Sequence, residues 1–399
     1  MLTLQLVSLA VALGGFLPQV ALARPKSYGV WAADSIISRG QGHGLDNNNA
    51  PRVSYEHGEF QWALRLLYEK TGNKTYFDYI RTGVDNIVQE DGSVLAYTIP
   101  YASLDPLRAG PSFMYLYEKT GAAKYKKAAD LFRSQLNVQP RTPEGQFWHR
   151  STYPNQGWLD GIYMADVFYA RYTLAYQPTN ATAWADVAKQ FHLQWAHTLQ
   201  YPNATDAGIT QLLYHGYDSE RTAVWALPDR GRAPHIWLRA VGWYAMALVD
   251  TLELFPRSHP DYAKLLAYAK FMFPKIRDAA DKGSGVWWHI MTEPGRAGNY
   301  FESSGAAMFV YASLKAVRLG YVSDADGSIV KGMKKAYGYA TSNWVTPLAN
   351  GTMDWEMTVN VGSLGSNGTY EYYIAQPIAL NDLKGAAAFV LASLEYERL

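Results

Sequence analysis

Tyr68-Glu69-Lys70-Thr71-Gly72 returns further along the chain as Tyr117-Glu118-Lys119-Thr120-Gly121, and each copy is followed shortly by a Tyr-bearing amphipathic stretch. A Thr-Gly pair closing a helical pattern marks a helix C-terminus turned by glycine, so each copy reads as a helical hairpin. Working outward, apolar residues recur at three and four spacing through most of the sequence. Tyr76, Tyr79, Ile80, Val84, Ile87 and Val88 form one such face, and Tyr262, Leu265, Leu266, Ala269, Met272, Phe273 and Ile276 form another. Few stretches alternate as strands do. Gly, Pro and Asn punctuation predicts helices near 28–39, 54–71, 73–90, 105–119, 124–138, 161–175, 182–200, 235–255, 259–279, 302–319, 326–342 and 378–397.

Twelve helices make six hairpins. Six hairpins close into a toroid with one helix of each pair inside, which leaves no apolar face at either end of the array. Clusters of Trp, Asp, His and Arg at the predicted starts of the inner helices favour closure around a shared pocket at one rim. No linker divides residues 24–399, which are read as one domain.

The first 23 residues form a short apolar run broken by Gly14, Gly15 and Pro18 and ending in Ala21-Leu22-Ala23, the pattern of a cleavable signal peptide. Sequons at Asn73, Asn180, Asn203, Asn350 and Asn367 fit an exported, extracellular glycoprotein. The chain has no cysteine, so an exported form relies on its core rather than on disulfides. About 376 residues after cleavage are ample for that. Lys plus Arg number 36 against 35 Asp plus Glu, without a basic stripe, which argues against a nucleic-acid partner. No later segment approaches membrane-spanning length, so no membrane partner is expected. Thirteen Trp and 30 Tyr exceed what a core needs, and aromatic rings suit the apolar faces of sugars.

The chemistry concentrates in Trp148-His149-Arg150 and in Trp158-Leu159-Asp160-Gly161-Ile162-Tyr163-Met164-Ala165-Asp166. Asp160 stands just before a predicted helix, where an N-cap role is the simplest reading. Asp105 holds the same place one inner helix earlier, with Pro106 at the first helical position. Two inner helices starting at one rim aim both carboxylates into one pocket, where mutual repulsion keeps one of them protonated. His215, then Arg239 and Trp243 four apart on one helix face, extend the set; an arginine beside aromatics suits a carboxylate-bearing ligand, although a structural ion pair reads equally well. Tyr55, at the start of the helix predicted over 54–71, joins them as an aromatic contact. No metal-ligand spacing and no phosphate loop following a strand occur, so neither metal nor cofactor is expected.

The Trp158–Asp166 run, Leu213-Tyr214-His215, Trp237-Leu238-Arg239-Ala240-Val241-Gly242-Trp243-Tyr244 and Gly298-Asn299-Tyr300-Phe301-Glu302-Ser303-Ser304-Gly305 closely resemble the unsaturated rhamnogalacturonyl hydrolases, over nearly the whole mature chain. The resemblance implies an all-α (α/α)6 barrel and a substrate oligosaccharide whose terminal uronic acid carries a C4=C5 double bond. It further implies that Asp160 protonates C4 while water adds at C5, with Asp105 holding the water or a ring hydroxyl and raising the pKa of Asp160. His215 would be the pocket histidine, and Arg239 with Trp243 would bind and stack on the uronate. His149, Arg150 and Trp158 would line the pocket, with Arg150 standing where the family motif carries another basic residue. Three rival readings remain: an unsaturated glucuronyl hydrolase acting on ulvan or glycosaminoglycan lyase products, an inverting glycosidase using Asp105 and Asp160 across a water, and a non-catalytic carbohydrate-binding protein.

Overall fold

The computed structural model of the chain describes residues 25–99 and 102–399; the expected signal peptide lies outside them. Twelve long helices appear where the periodicity places them, with ends shifted by a few residues. They are α1 Tyr28–Ser38, α2 Tyr55–Thr71, α3 Lys74–Asp85, α5 Ala123–Val138, α7 Ala181–Thr198, α8 Leu238–Leu254, α9 Tyr262–Asp278, α10 Ser303–Arg318, α11 Ser328–Asn343 and α13 Leu383–Tyr396, together with two composite helices. In α4 a 3-10 turn, Asp105–Ala109, runs directly into Gly110–Thr120; in α6 a turn at Leu159–Gly161 passes through a π segment, Ile162–Asp166, into Val167–Tyr176. A short helix α12, Tyr370–Ile374, and three two-stranded antiparallel ribbons were not anticipated. The ribbons pair β1 Gln156–Trp158 with β2 Gly216–Asp218, β3 Val345–Pro347 with β4 Met353–Trp355, and β5 Thr358–Val359 with β6 Ile378–Ala379.

Six helices form a closed inner ring in the order α2, α4, α6, α8, α10, α13 and back to α2. Helices α8, α10 and α13 are buried along nearly their whole length, as a helix enclosed on every side must be. The outer helices bury only a stripe: Tyr76, Ile80 and Val84 on α3, and Leu265, Ala269, Met272, Phe273 and Ile276 on α9. The ring is tight enough to demand glycine at crossings. A Cβ on Gly58 would stand 2.5 Å from the Arg108 carbonyl oxygen, and one on Gly305 would stand 2.4 Å from Leu238 Cγ. Helices α2 and α4 both end on a glycine at φ 69°, Gly72 and Gly121, whose N–H groups bond back to the Tyr68 and Tyr117 carbonyls. The repeated Tyr-Glu-Lys-Thr-Gly runs are therefore the reversals between inner and outer helices.

Closure joins the first and last helices among the described residues. The outer partner of α13 is α1, and the seam is fastened where the Ser27 hydroxyl and the Gly29 N–H donate to the Glu397 carboxylate at 2.9 and 3.1 Å. Among the described residues no helix is long and apolar enough to cross a membrane. All five sequon asparagines are exposed.

Candidate active site

The six inner helices run in parallel, so their N-termini meet at one rim, and the segment before each start is stitched to a neighbouring loop. Trp158 pairs with Gly216 in the β1–β2 ribbon, and the Leu159 N–H donates to the His215 carbonyl at 3.0 Å, which sets His215 beside Asp160. A bridge between Ser103 and Arg150, with the Leu104 N–H on the His149 carbonyl at 3.0 Å, sets His149 and Arg150 beside Asp105 in the same way. These stitches bring residues distant in sequence to one cleft of about 270 Å³.

The cleft is lined by Asp105, Asp160, His149, Arg150, Trp158, Arg239, Trp243 and Tyr55, eight of the nine residues expected from sequence. The ninth, His215, lies fully buried behind Asp160. Its Nε2 is 3.1 Å from Asp160 Oδ2, and its Nδ1 is 2.6 Å from the Tyr373 hydroxyl. His149 stacks on Trp158 with ring centres 4.4 Å apart, and Tyr153 stacks on the same indole at 5.0 Å. Trp243 is stacked on Tyr163 at 5.0 Å and meets the edge of Tyr55 at 6.1 Å.

Two expectations are corrected, and a third, left open between ligand contact and ion pair, goes to the ion pair. Neither aspartate caps its helix: the N-cap positions are Leu104 and Trp158, and neither side chain bonds an orphan amide. Asp105 instead faces His149 Nε2 at 3.4 Å and hydrogen-bonds the Arg150 guanidinium, while Asp160 turns to His215. Second, Asp160 is not held protonated by Asp105. Burial pushes its carboxyl up, but His215, by charge and hydrogen bond, and then His149 outweigh burial and hold it below the usual carboxylate value. The aspartates share the cleft, but histidine rather than carboxylate is the partner that governs Asp160. Third, Arg239 is engaged by the protein itself. Its Nε donates to the Ser304 hydroxyl at 2.7 Å, and its terminal nitrogens reach the Asn360 carbonyl at 2.9 Å, the Val359 carbonyl, and Glu302 at 3.3 Å. Glu302 also accepts from the Gly305 and Val359 N–H groups, so the pair clamps Val359 and Asn360 to the rim.

That clamped strap supplies cleft residues that sequence reasoning missed, namely Val361, Gly362 and Ser363. Gly362 lies flat on Trp237, where a Cβ would stand 2.8 Å from the indole. Of the two long segments rich in Trp, Tyr and Asn, 343–377 reaches the cleft and 283–301 contributes none of its lining. Arg52, Glu56, Met164 and Trp237 complete the wall. Tyr373 belongs to the Tyr370, Tyr372, Tyr373 cluster, and that aromatic density was the only local signal for it.

Residues 31–399 match the family described as Glycosyl Hydrolase Family 88. The chain belongs to this family. It is a glycoside hydrolase with an oligosaccharide substrate, and its helical barrel is the (α/α)6 toroid of its structural neighbours. A solved family 105 glycoside hydrolase of C. acetobutylicum is 35% identical, with 94% of this chain and all of that chain aligned at a TM-score of 0.86. Protein Atu3128 of Agrobacterium fabrum is 34% identical over 218 residues, which cover 53% of this chain and 89% of that protein. An unsaturated glucuronyl hydrolase specific for heparin shares the fold at 13% identity, with a TM-score of 0.64 over 93% of this chain and 96% of that one. In this family member the cleft at the N-terminal rim is where the acids, the stacked aromatics and the buried histidine converge.

Proposed function

We propose that this glycoside hydrolase removes the terminal C4=C5-unsaturated galacturonate from rhamnogalacturonan-derived oligosaccharides by hydrating the enol ether. The observation that carries the reading is the Asp160–His215–Tyr373 chain at the cleft wall. An enol ether needs a proton placed on carbon and a base for water, and one carboxyl group serves both steps in turn. With His215 doubly protonated, Nδ1–H donates to Tyr373 and Nε2–H to the Asp160 carboxylate. Transfer of the Nε2 proton leaves neutral His215 and an Asp160 carboxylic acid, which keeps the proton count of the pair constant. Asp160 then delivers that proton to C4 as the C4=C5 electron pair forms the C–H bond, and positive charge develops at C5 and the ring oxygen. The Asp160 carboxylate next takes a proton from water as the water oxygen bonds C5. The resulting hemiketal opens to a ketone at C5, and the hemiacetal left at C1 collapses to an aldehyde as the aglycone departs.

Trp243 and Trp158 offer ring faces to the sugar. The substrate carboxylate falls to the guanidiniums at the mouth, Arg52 and Arg150, which keep donors open to solvent beside their pairs with Glu56 and Asp105; their side chains are 52% and 44% exposed, against 2% for Arg239. Export to the extracellular medium belongs to the same reading and is supported by the five exposed sequons. A fall in mass on enzymatic deglycosylation of protein recovered from the medium tests that part.

Lyase digests of rhamnogalacturonan, ulvan and a glycosaminoglycan, alongside plain saturated glycosides, test the activity by loss of enol-ether ultraviolet absorbance and by release of reducing sugar. Preferential loss with the pectic digest is expected. Preference for an unsaturated glucuronide moves the assignment to that substrate class, and hydrolysis of saturated glycosides without preference replaces hydration by ordinary glycoside hydrolysis. Asp160→Asn is expected to stop turnover and keep binding.

A further inference from the structure

A charged and aromatic cavity lies at the opposite end of the barrel from the catalytic rim, among the later turns of α2, α4 and α6. It measures about 320 Å³ and is walled by Trp62, Arg65, Tyr115, Tyr117, Arg171 and Tyr176 among others. Two guanidinium groups converge on a single indole, with the Arg65 and Arg171 carbons 3.8 and 4.4 Å from the Trp62 ring centre. Cation–π contact accounts for their placement but does not neutralise their charge. Arg65 has Glu69 at 3.4 Å on its own helix. Arg171 has no carboxylate within ion-pair distance among the described residues, and its buried Nε has no hydrogen-bond partner. Behind them stands Arg108, only 1% exposed. Its guanidinium lies 5.6 Å from the same indole and bonds the Tyr163 hydroxyl at 2.7 Å, leaving Nε and one terminal nitrogen unpartnered. Glu59, which faces Arg108, is fully buried with both oxygens unpartnered and is held protonated by that burial, and the acids whose field reaches Arg171, Asp250 and Glu253, are ion-paired to Lys315 at 2.8 and 2.7 Å. Glu118 is the only acid in the wall, and it is two-thirds exposed and paired with Lys119.

The pocket therefore combines a guanidinium with no carboxylate in ion-pair contact, Arg171, whose donors match the fork of a carboxylate, with a mainly aromatic and aliphatic wall that has few groups to satisfy the hydroxyls of a sugar. We propose that this rear pocket binds a small aryl carboxylate, its carboxylate on Arg171 and its ring against Tyr115 and Tyr176. The site is independent of the reaction at the other rim.

Calorimetric titration with benzoate, with galacturonate in parallel, tests the proposal on the full chain. Benzoate is expected to bind one to one, with galacturonate weaker, and binding is expected to be unchanged in Asp160→Asn. Arg171→Leu is expected to weaken benzoate by at least about tenfold, the loss of a charge-assisted pair. Arg171→Lys, which keeps charge but not the fork, should fall between. Leu174→Trp, at a position 44% exposed and lining the cavity, fills the pocket without touching a charge and should also abolish binding. Thermal denaturation establishes that each variant is folded. The proposal is overturned if benzoate shows no heat, if galacturonate binds more tightly, if competition places benzoate in the catalytic cleft, or if a folded Arg171→Leu binds as the parent does. A dimer in size-exclusion chromatography that Leu174→Trp dissociates would also overturn it, because a second copy would then cover the pocket.

Discussion

Tyr373→Phe removes one oxygen from a side chain that is otherwise fully buried, and the structure says which atom pays. The hydroxyl lies 2.6 Å from His215 Nδ1, and both residues are 0% exposed, so no water takes its place. In the proposed proton cycle Nδ1 carries a hydrogen both before and after the transfer to Asp160, and the Tyr373 oxygen is its acceptor throughout. Without that acceptor, neutral His215 favours the Nε2–H tautomer, which cannot receive or return the Asp160 proton. Leaving a buried polar group unsatisfied costs about 1–3 kcal/mol, which corresponds to a loss in kcat of about 5- to 150-fold. KM is expected to change little, because Tyr373 does not line the cleft. Steady-state kinetics on an unsaturated disaccharide, followed by loss of enol-ether absorbance over a range of pH, measures both constants. The acid limb of the kcat profile should move, since the hydrogen bond that helps hold the Asp160 carboxyl low would come from a histidine without its anchor. A folded variant with parental kcat and an unmoved profile would refute the relay, and a rise in KM alone would recast Tyr373 as a wall of the cleft.

Acid should destabilise the fold steeply. Burial pushes His57, His235 and His289 down to about 4 from the ordinary 6.5, so across that window the unfolded chain binds protons that the folded chain refuses, and stability falls as pH falls. Asp160 and Glu302 lie below their ordinary 3.8 and 4.5; their contribution is present above those values and is lost as pH falls through the lowered ones. Denaturant midpoints measured across this range should show the slope, and His289→Gln, whose ring faces Glu302 and Arg239, should reduce it by about one proton. Arg239→Met should lower unfolding stability by about 3–5 kcal/mol, because it strands the fully buried Glu302. Parental stability with only a raised KM would instead assign Arg239 to the substrate.

The helices were legible because their signals are local: the three-and-four periodicity of α3 and α9, and the Thr-Gly ends of α2 and α4, need no knowledge of a partner. The rim was legible one step further, since parallel inner helices carry Asp105 and Asp160 to the same side. What each aspartate does was not legible. Cap positions were read one residue late at Asp105 and two late at Asp160, because the helical turns already begin at Asp105 and Leu159. A π turn directly after Asp160 is typical of a helix bent to a task. The partners of Asp160 and Arg239 come from 55 and up to 121 positions away, through ribbons and carbonyls that leave no side-chain pattern. Tyr373, 158 positions from His215, could be found only by closing the ring.

The seam between α1 and α13 carries a consequence for assembly. One of the six wedges pairs α1 with α13, the first and last helices among the described residues, so during synthesis α2 and α10 wait with bare flanks until 383–396 emerge, and the nascent chain is exposed to aggregation for that interval. The same proximity makes the topology permutable. Linking residue 27 to 397 and reopening the chain in the exposed 47–50 loop between α1 and α2 would leave every wedge whole and let the barrel assemble from consecutive hairpins, without a final splice.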